Sequence, residues 1–302
     1  MAAQTQHSGI VVPMITPFTH QGELDESSVC RVIDFLIGGG VHGIFVGGTT
    51  GEAASMSPSM RHRLVRLAVS HIDHRVRVYS GIGDNCVAQS IAAARESFRL
   101  GVDAVVAHPP SYYALSPEEL FDYYSILGRE IQGDMLIYNI PMTTHISIPV
   151  DIVERLSDHP RIVGMKDSEN NIERLTEVTR RLKGRDNFAL LMGASVLSAK
   201  AFMLGMVGAV PGSANLIPDC WRDLYHSALN RDGSRAEQIQ SQANQAAVLF
   251  QQGRTLGQSL AAIKAAMHVK GLCEPAVLPP LRTLTGQQIE KIRQEMGLLG
   301  LF

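Results

Sequence analysis

One lysine ends an apolar stretch, and a buried amine at such a position is the group that chemistry on a carbonyl compound requires. The stretch is Arg161-Ile-Val-Gly-Met-Lys166-Asp-Ser168, an apolar run broken by one lysine and followed by turn-forming residues. This pattern is typical of a buried strand that ends at a site. Burial lowers the pKa of a lysine and leaves part of it as the free, nucleophilic amine. In the alternative interpretation the ammonium reaches solvent or pairs with Asp167. The stretch itself leaves both interpretations open.

A second stretch has the composition of a small anion site. In Val46-Gly-Gly-Thr49-Thr50-Gly-Glu52, glycines flank two hydroxyl side chains at the predicted start of a helix. Glycines let the backbone turn tightly and expose successive N–H groups, which suits a carboxylate. The alternative is an ordinary turn between a strand and a helix, where Thr and Gly are common.

A tyrosine ends a third apolar stretch, Leu136-Ile-Tyr138-Asn139-Ile-Pro141. Taken alone, such a tyrosine is typical of a packed aromatic ring whose hydroxyl reaches water. If the strands of Tyr138 and Lys166 are neighbours in one sheet, the phenol and the amine can reach the same substrate. Their order along the chain is consistent with that arrangement.

The elements that must position these residues alternate along the chain. Eight strands are predicted at Gly9–Ile15, Gly43–Gly47, Val76–Gly81, Ala104–Ala107, Met135–Tyr138, Ile162–Lys166, Phe188–Met192 and Ala209–Val210. Helices are predicted near 25–38, 58–72, 87–100, 117–131, 149–157, 171–183, 195–204 and 217–229. This alternation predicts an α/β protein with a closed (β/α)8 TIM barrel, whose polar strand ends meet at one mouth. An open doubly wound sheet is the competitor, but the sequence has no GxGxxG motif.

The strand pattern stops after about residue 230, and helices are predicted at Arg235–Gln252, Thr255–Gly271 and Gly286–Met296. We therefore expect a catalytic barrel over residues 1–228 and a helical C-terminal region over residues 229–302.

Composition excludes several classes of partner. The net charge is −2 and 19% of residues are charged, without a basic tract for nucleic acid or a run long enough to span a membrane. Four scattered cysteines and an N-terminus without a signal-peptide pattern favour a cytoplasmic location. His42, His108 and His145 lie near predicted strand boundaries, but no histidines and carboxylates show metal-ligand spacing, so we expect no metal and no cofactor.

The order GGTTGE, YNIP and GMKDS resembles the dihydrodipicolinate synthase/N-acetylneuraminate lyase family of class I aldolases. The likeness covers nearly the whole chain and includes the opening Pro13-Met-Ile-Thr-Pro-Phe18, the Tyr112-Tyr113 pair and Gly208-Ala-Val-Pro-Gly-Ser-Ala-Asn215. It implies a homotetramer built from dimers, acting on a small 2-oxo acid and an aldehyde.

The resemblance also implies roles for single residues. Lys166 matches the lysine that forms an imine with pyruvate or a related 2-oxo acid, and Tyr138 matches the tyrosine that shuttles protons. Thr49 and Thr50 match the pair that binds the carboxylate and orients this tyrosine. Tyr112 matches a tyrosine that reaches into a neighbouring subunit's site. Two further matches, Gly193 and Val210, line the 2-oxo acid pocket.

One position departs from the synthases of that family, which carry an arginine for the carboxylate of aspartate semialdehyde. Here Thr143 occupies that position, and His145 stands where family members usually have glycine. Threonine cannot make a charge-assisted bidentate contact with a carboxylate. The sequence therefore favours a Schiff-base aldolase or dehydratase of 2-oxo-3-deoxy sugar acids. The synthase reaction, with a basic residue supplied from elsewhere, and a non-catalytic barrel that binds 2-oxo acids are the alternatives.

Overall fold

The computed structural model describes residues 6–302, and the first five residues, which belong to the N-terminal segment considered above, lie outside it. Eight parallel strands close into one barrel in chain order, each hydrogen-bonded to the next and the last to the first. They are β1 (Gly9–Pro13), β2 (Gly43–Val46), β3 (Arg77–Gly81), β4 (Ala104–Ala107), β5 (Asp134–Asn139), β6 (Ile162–Asp167), β7 (Ala189–Met192) and β8 (Gly208–Ala209). The predicted (β/α)8 barrel is confirmed.

Helices connect the strands and surround the sheet. They are α1 (Glu26–Gly38), α2 (Pro58–Ile72), α3 (Val87–Leu100), α4 (Pro117–Glu130), α5 (Pro141–Thr144), α6 (Val150–Leu156), α7 (Ile172–Arg181), α8 (Ser198–Leu204) and α9 (Pro218–Leu229). Ser116 and Pro117 show why a helix begins where it does. The Ser116 hydroxyl accepts from the backbone N–H of Glu119, whose carboxylate accepts from the Ser116 backbone N–H, and Pro117 has no N–H to leave unpaired.

Two apolar clusters hold the barrel together. The larger one fills the space between the strands and the surrounding helices. The smaller one lies inside the barrel and includes Phe45, Tyr79, Tyr138 and Val210. Because alternate residues of a strand point to opposite faces, the same strands supply both clusters. The interior cluster includes the rings of Phe45 and Tyr138, which lie beside Lys166 of β6.

Three helices follow the barrel: α10 (Gly233–Gln251), α11 (Leu256–Val269) and α12 (Gly286–Leu298). Lys264 of α11 and Glu52, which follows β2, form an ion pair at 2.5 Å with both side chains 1% exposed. The helical C-terminal region predicted from the sequence is therefore packed against a loop at the barrel mouth. The division at residues 228 and 229 stays a prediction. Over residues 6–302, every helix is too short or too polar to cross a bilayer.

Candidate active site

A cavity of about 310 Å³ opens at the end of the barrel where the strands finish. Its wall combines residues that follow β2, β3, β4 and β5 with residues from the C-terminal region. The polar side chains among them are Thr49, Glu52, Ser55, His108, Ser111, Tyr138, Thr143 and Thr144. The C-terminal region contributes Leu256, Gly257, Leu260 and Leu281, so the helices after the barrel cover part of this mouth.

Lys166 lies beside the two aromatic rings of this cavity. Its strand pairs with β5 so that Lys166 is directly opposite Tyr138. The Lys166 Nζ is 3.9 Å from the centre of the Tyr138 ring and 5.1 Å from that of Phe45. The side chain is buried, with 5% of the residue exposed. The structure thus brings the predicted amine and phenol together.

The phenol of Tyr138 is tuned by its surroundings. Burial alone raises its pKa, because a phenolate is poorly solvated inside the protein. The charge of Lys166 and polar contacts with Thr49, Lys166 and Ser168 outweigh that effect, so the pKa of Tyr138 lies below its ordinary value. A phenol whose pKa moves toward neutral pH exchanges protons more readily with a substrate.

Asp167 does not neutralise the neighbouring lysine. Its Oδ2 accepts from Arg174 Nε at 2.7 Å, and its Oδ1 accepts from Asn139 Nδ2 at 2.8 Å. Glu169 joins the same cluster, with a carboxylate oxygen 3.4 Å from Arg174 Nε. The alternative in which Lys166 pairs with Asp167 is therefore wrong. The cluster ties the ends of β5 and β6 together and leaves the amine of Lys166 facing the aromatic rings.

The predicted anion cradle has the expected tight turn. Gly47 has φ +63°, a conformation that favours glycine, and Gly51 N–H donates to the Gly48 carbonyl at 3.1 Å. Thr49 lines the cavity, whereas Thr50 is half-buried and lies outside the wall described above. The loop ends at Glu52, whose carboxylate also accepts from Leu278 N–H at 2.9 Å. The C-terminal region therefore holds the far end of the cradle.

Gly193 directly follows β7, and Val210 directly follows β8. Gly193 N–H donates to the Asp167 carbonyl at 2.6 Å, and a Cβ at this position would lie 2.1 Å from Ser168 Oγ. Only glycine lets these two strand ends approach so closely. Val210 is 3% exposed and belongs to the same interior cluster as Tyr138.

Thr143 and His145 lie in different places. Thr143, in α5, lines the cavity. His145 ends α5 with φ +57° and is exposed in an outer groove beside Tyr112 and Tyr113. His145 is therefore not among the residues that line the cavity. Its backbone conformation explains why glycine suits this position.

Tyr112 and Tyr113 lie in the outer groove and are not among the residues that line the cavity. They are 79% and 69% exposed, and their rings pack edge to face with centres 5.2 Å apart. Asn85 fixes their backbone by accepting from the N–H of Ser111 and of Tyr112. The family resemblance implies a role for Tyr112 in a neighbouring subunit, and this role stays a prediction.

His108 and Glu52 are among the polar residues of the wall for which the sequence predicted no role. His108 directly follows β4, a position where barrel enzymes place functional side chains. Glu52 was recognised only as the end of a motif, although Lys264 carries a signal of its own. Lys264 stands inside the apolar run Leu260-Ala-Ala-Ile-Lys264-Ala-Ala-Met267, which indicates a buried lysine just as the Lys166 run does. Over residues 6–302, His, Cys, Asp and Glu side chains form no group of three suited to a metal ion.

Comparison with known proteins agrees with this geometry. The model of the dihydrodipicolinate synthetase family matches residues 6–297. The 4-hydroxy-tetrahydrodipicolinate synthase of Nitrosomonas europaea is 30% identical over 295 residues, which cover 97% of this chain and 99% of the relative. The structure of dihydrodipicolinate synthase from Bacteroides thetaiotaomicron superposes with a TM-score of 0.92 at 30% identity, covering 96% of this chain and 98% of that one.

A further structure is that of YagE, a prophage protein of this family from E. coli K12 in complex with pyruvate. It has a TM-score of 0.92 at 26% identity and covers 98% of this chain and 99% of its own. The chain therefore belongs to the dihydrodipicolinate synthetase family and is a Schiff-base lyase of the class I aldolase type.

Proposed function

We propose that Lys166 is the Schiff-base lysine and that the enzyme cleaves or dehydrates 2-oxo-3-deoxy sugar acids. The observation that carries the first part is the burial of Lys166 Nζ 3.9 Å from the Tyr138 ring, with Asp167 engaged elsewhere. The amine attacks the keto carbon, and loss of water leaves a protonated imine. That imine accepts the electron pair of a bond broken next to it.

In aldol cleavage, the bond between C3 and C4 breaks and its electrons form an enamine with the imine. The C4 hydroxyl gives up its proton as the aldehyde leaves, and Tyr138 is the base that receives it. Protonation at C3 and hydrolysis then release pyruvate and restore the amine. Dehydration uses the same imine to remove a C3 proton and the C4 hydroxyl.

Other predicted residues hold the 2-oxo acid. Thr49 and Thr50, with the N–H groups of their glycine-rich turn, bind the carboxylate. Gly193 and Val210 shape the space beside Lys166. Placing the carboxylate at the turn sets the keto carbon over the amine, which is how positioning lowers the barrier of the first step.

The side chains of the cavity wall favour one class of second substrate over another. Over residues 6–302, this wall includes no arginine, and Thr143 stands where the synthases of the family are expected to carry one. A carboxylate is held best by a bidentate guanidinium, whereas hydroxyl groups pair well with Thr, Ser and neutral His. A hydroxylated aldehyde therefore suits the wall better than aspartate semialdehyde.

A second candidate is the synthase reaction, because relatives at 30% identity carry the name 4-hydroxy-tetrahydrodipicolinate synthase. A third is a barrel that binds 2-oxo acids without turnover. Turnover separates the three. The proposal expects cleavage or dehydration of 2-oxo-3-deoxy acids, and faster condensation of pyruvate with aspartate semialdehyde would overturn it in favour of the synthase.

The nucleophile is tested by reduction with borohydride in the presence of pyruvate, followed by peptide mass analysis. We expect a covalent adduct on Lys166, no adduct in Lys166→Ala, and an undiminished adduct in Lys183→Ala, which removes an exposed lysine outside the site. An unmodified wild-type protein would refute the mechanism. An adduct without turnover on any aldol or dehydration substrate would favour the non-catalytic alternative.

The assembly is part of the same proposal. A homotetramer built from dimers would place the exposed Tyr112 of one subunit against the site of another, as the family resemblance implies. We also propose that the protein is cytoplasmic and that it has no nucleic-acid or membrane partner. Sedimentation of the purified protein measures the assembly, and a purely monomeric enzyme with full activity would exclude a role for Tyr112 across an interface.

A further inference from the structure

His108 is a polar residue of the cavity that the mechanism above does not use. It directly follows β4 and lines the same wall as Tyr138 and Thr143. Two tyrosines of α4 fix the backbone beneath it. Tyr124 Oη donates to the Ala107 carbonyl at 3.1 Å, and Tyr123 Oη donates to the His108 carbonyl at 3.2 Å. The ring therefore stands on a strand end that is held rigidly.

The orientation of the imidazole is also fixed. His108 Nδ1 lies 2.9 Å from the carbonyl oxygen of Pro109, and since a carbonyl only accepts, Nδ1 carries the proton of that bond. The other edge of the ring packs on Gly83, where a Cβ would lie 2.5 Å from Nε2. Any larger residue at position 83 would displace the ring. Over residues 6–302, Nε2 makes no hydrogen bond within the chain.

The charge state follows from the surroundings. Burial lowers the pKa of His108, and the charge of Arg61 lowers it further, against the raising effects of the Pro109 bond and Asp84. In the neutral ring with its proton on Nδ1, Nε2 is only an acceptor. An acceptor pairs with a hydroxyl of the substrate and repels a carboxylate oxygen. Glu52, the carboxylate of this wall, is already bound by Lys264 and Leu278.

We infer that His108 is a specificity residue whose Nε2 accepts a hydrogen bond from a hydroxyl of the aldehyde portion of the substrate. Together with Thr143, which lines the same cavity, it selects hydroxylated aldehydes over those that carry a carboxylate or no polar group. This inference rests on the proposed function, because the aldehyde meets the enamine formed at Lys166.

The test measures condensation at saturating pyruvate with glyceraldehyde, which carries hydroxyls, and with propionaldehyde, which carries none. The quantity of interest is the ratio of kcat/KM for the two aldehydes. His108→Met, which removes the acceptor, should lower this ratio about tenfold, as expected for one hydrogen bond of about 1.4 kcal/mol. His108→Gln, whose amide oxygen can replace Nε2, should retain most of the preference.

Three outcomes separate the inference from the function on which it rests. If borohydride fails to trap pyruvate on wild-type Lys166, the proposed function itself is wrong. If trapping succeeds but His108→Met lowers kcat/KM for both aldehydes equally, or leaves the ratio unchanged, the role of His108 is refuted. A loss of preference for glyceraldehyde in His108→Gln as large as in His108→Met would also refute it, because the effect would then come from altered packing and not from the lost acceptor.

Discussion

The ion pair between Lys264 and Glu52 joins the C-terminal region to the anion cradle, and Lys264→Met tests how much that link contributes. The pair is 2.5 Å long with both side chains 1% exposed. Lys264 Nζ also donates to the Ala276 carbonyl at 2.7 Å and lies 4.0 Å from the centre of the Phe18 ring. Methionine keeps most of the volume but leaves the carboxylate buried without its counter-charge.

The magnitude follows from the burial. Removing one partner of a buried ion pair costs about 3–5 kcal/mol, because the remaining charge is neither solvated nor compensated. For a chain somewhat longer than 250 residues, each kcal/mol lowers the midpoint of thermal unfolding by about 2 °C. We therefore expect Lys264→Met to unfold about 6–10 °C below the wild type.

The double variant Lys264→Met/Glu52→Gln provides the internal control. The glutamine oxygen can still accept from Leu278 N–H, and no buried charge is left. The free energy of unfolding of the double variant should therefore be on the order of 1–3 kcal/mol higher than that of Lys264→Met. Urea unfolding followed by circular dichroism measures all four members of the cycle. A cost below about 1 kcal/mol for Lys264→Met, or strictly additive single and double variants, would show that the pair is not electrostatically coupled.

Three further predictions concern the site and the base of the barrel. Tyr138→Phe keeps the ring beside Lys166 but removes the hydroxyl that carries the proton, so kcat should fall about 10²–10⁴-fold. A loss below tenfold in steady-state assays would assign the proton transfer to another group. Thr143→Arg supplies a guanidinium to the cavity. It should raise the ratio of kcat/KM for aspartate semialdehyde to kcat/KM for glyceraldehyde by roughly tenfold or more. An unchanged ratio would show that position 143 does not contact the second substrate. Burial lowers the pKa of His7 against the opposing effect of Asp134, so the unfolded chain takes up this proton first as the pH falls through 6.5. Stability should therefore decrease from pH 7 to pH 5 more steeply in the wild type than in His7→Gln, and equal slopes in urea unfolding would contradict the assignment.

The barrel was predictable from the sequence because each strand is a short apolar run with a marked end. The stretch predicted as Ile162–Lys166 is Ile162–Asp167 in the structure, and Ala104–Ala107 is unchanged. The single turn of helix at Pro141–Thr144 was missed, because four residues are too few to show a helical period. This omission affects the prediction only near Thr143, which the turn places in the cavity wall.

The pairing of side chains was less predictable. Sequence order placed Lys166 beside Asp167, but the carboxylate turns to Arg174, which becomes its neighbour only when the chain folds. In the same way, nothing near Glu52 in the sequence indicates Lys264. Motif and strand order determined which residues meet at the mouth, whereas ion pairs between distant elements depend on how helices pack.

The bond between Leu278 N–H and Glu52 has a consequence for the order in which the protein is made. The two residues are 226 positions apart, so the carboxylate of the cradle is synthesised long before its partners. The last strand of the barrel ends at Ala209, and a chain that had emerged only that far would hold all eight strands and still lack Lys264 and Leu278. On a ribosome all eight strands are therefore synthesised before Lys264 and Leu278, so we expect the loop that ends at Glu52 to become fixed only after the barrel strands have emerged.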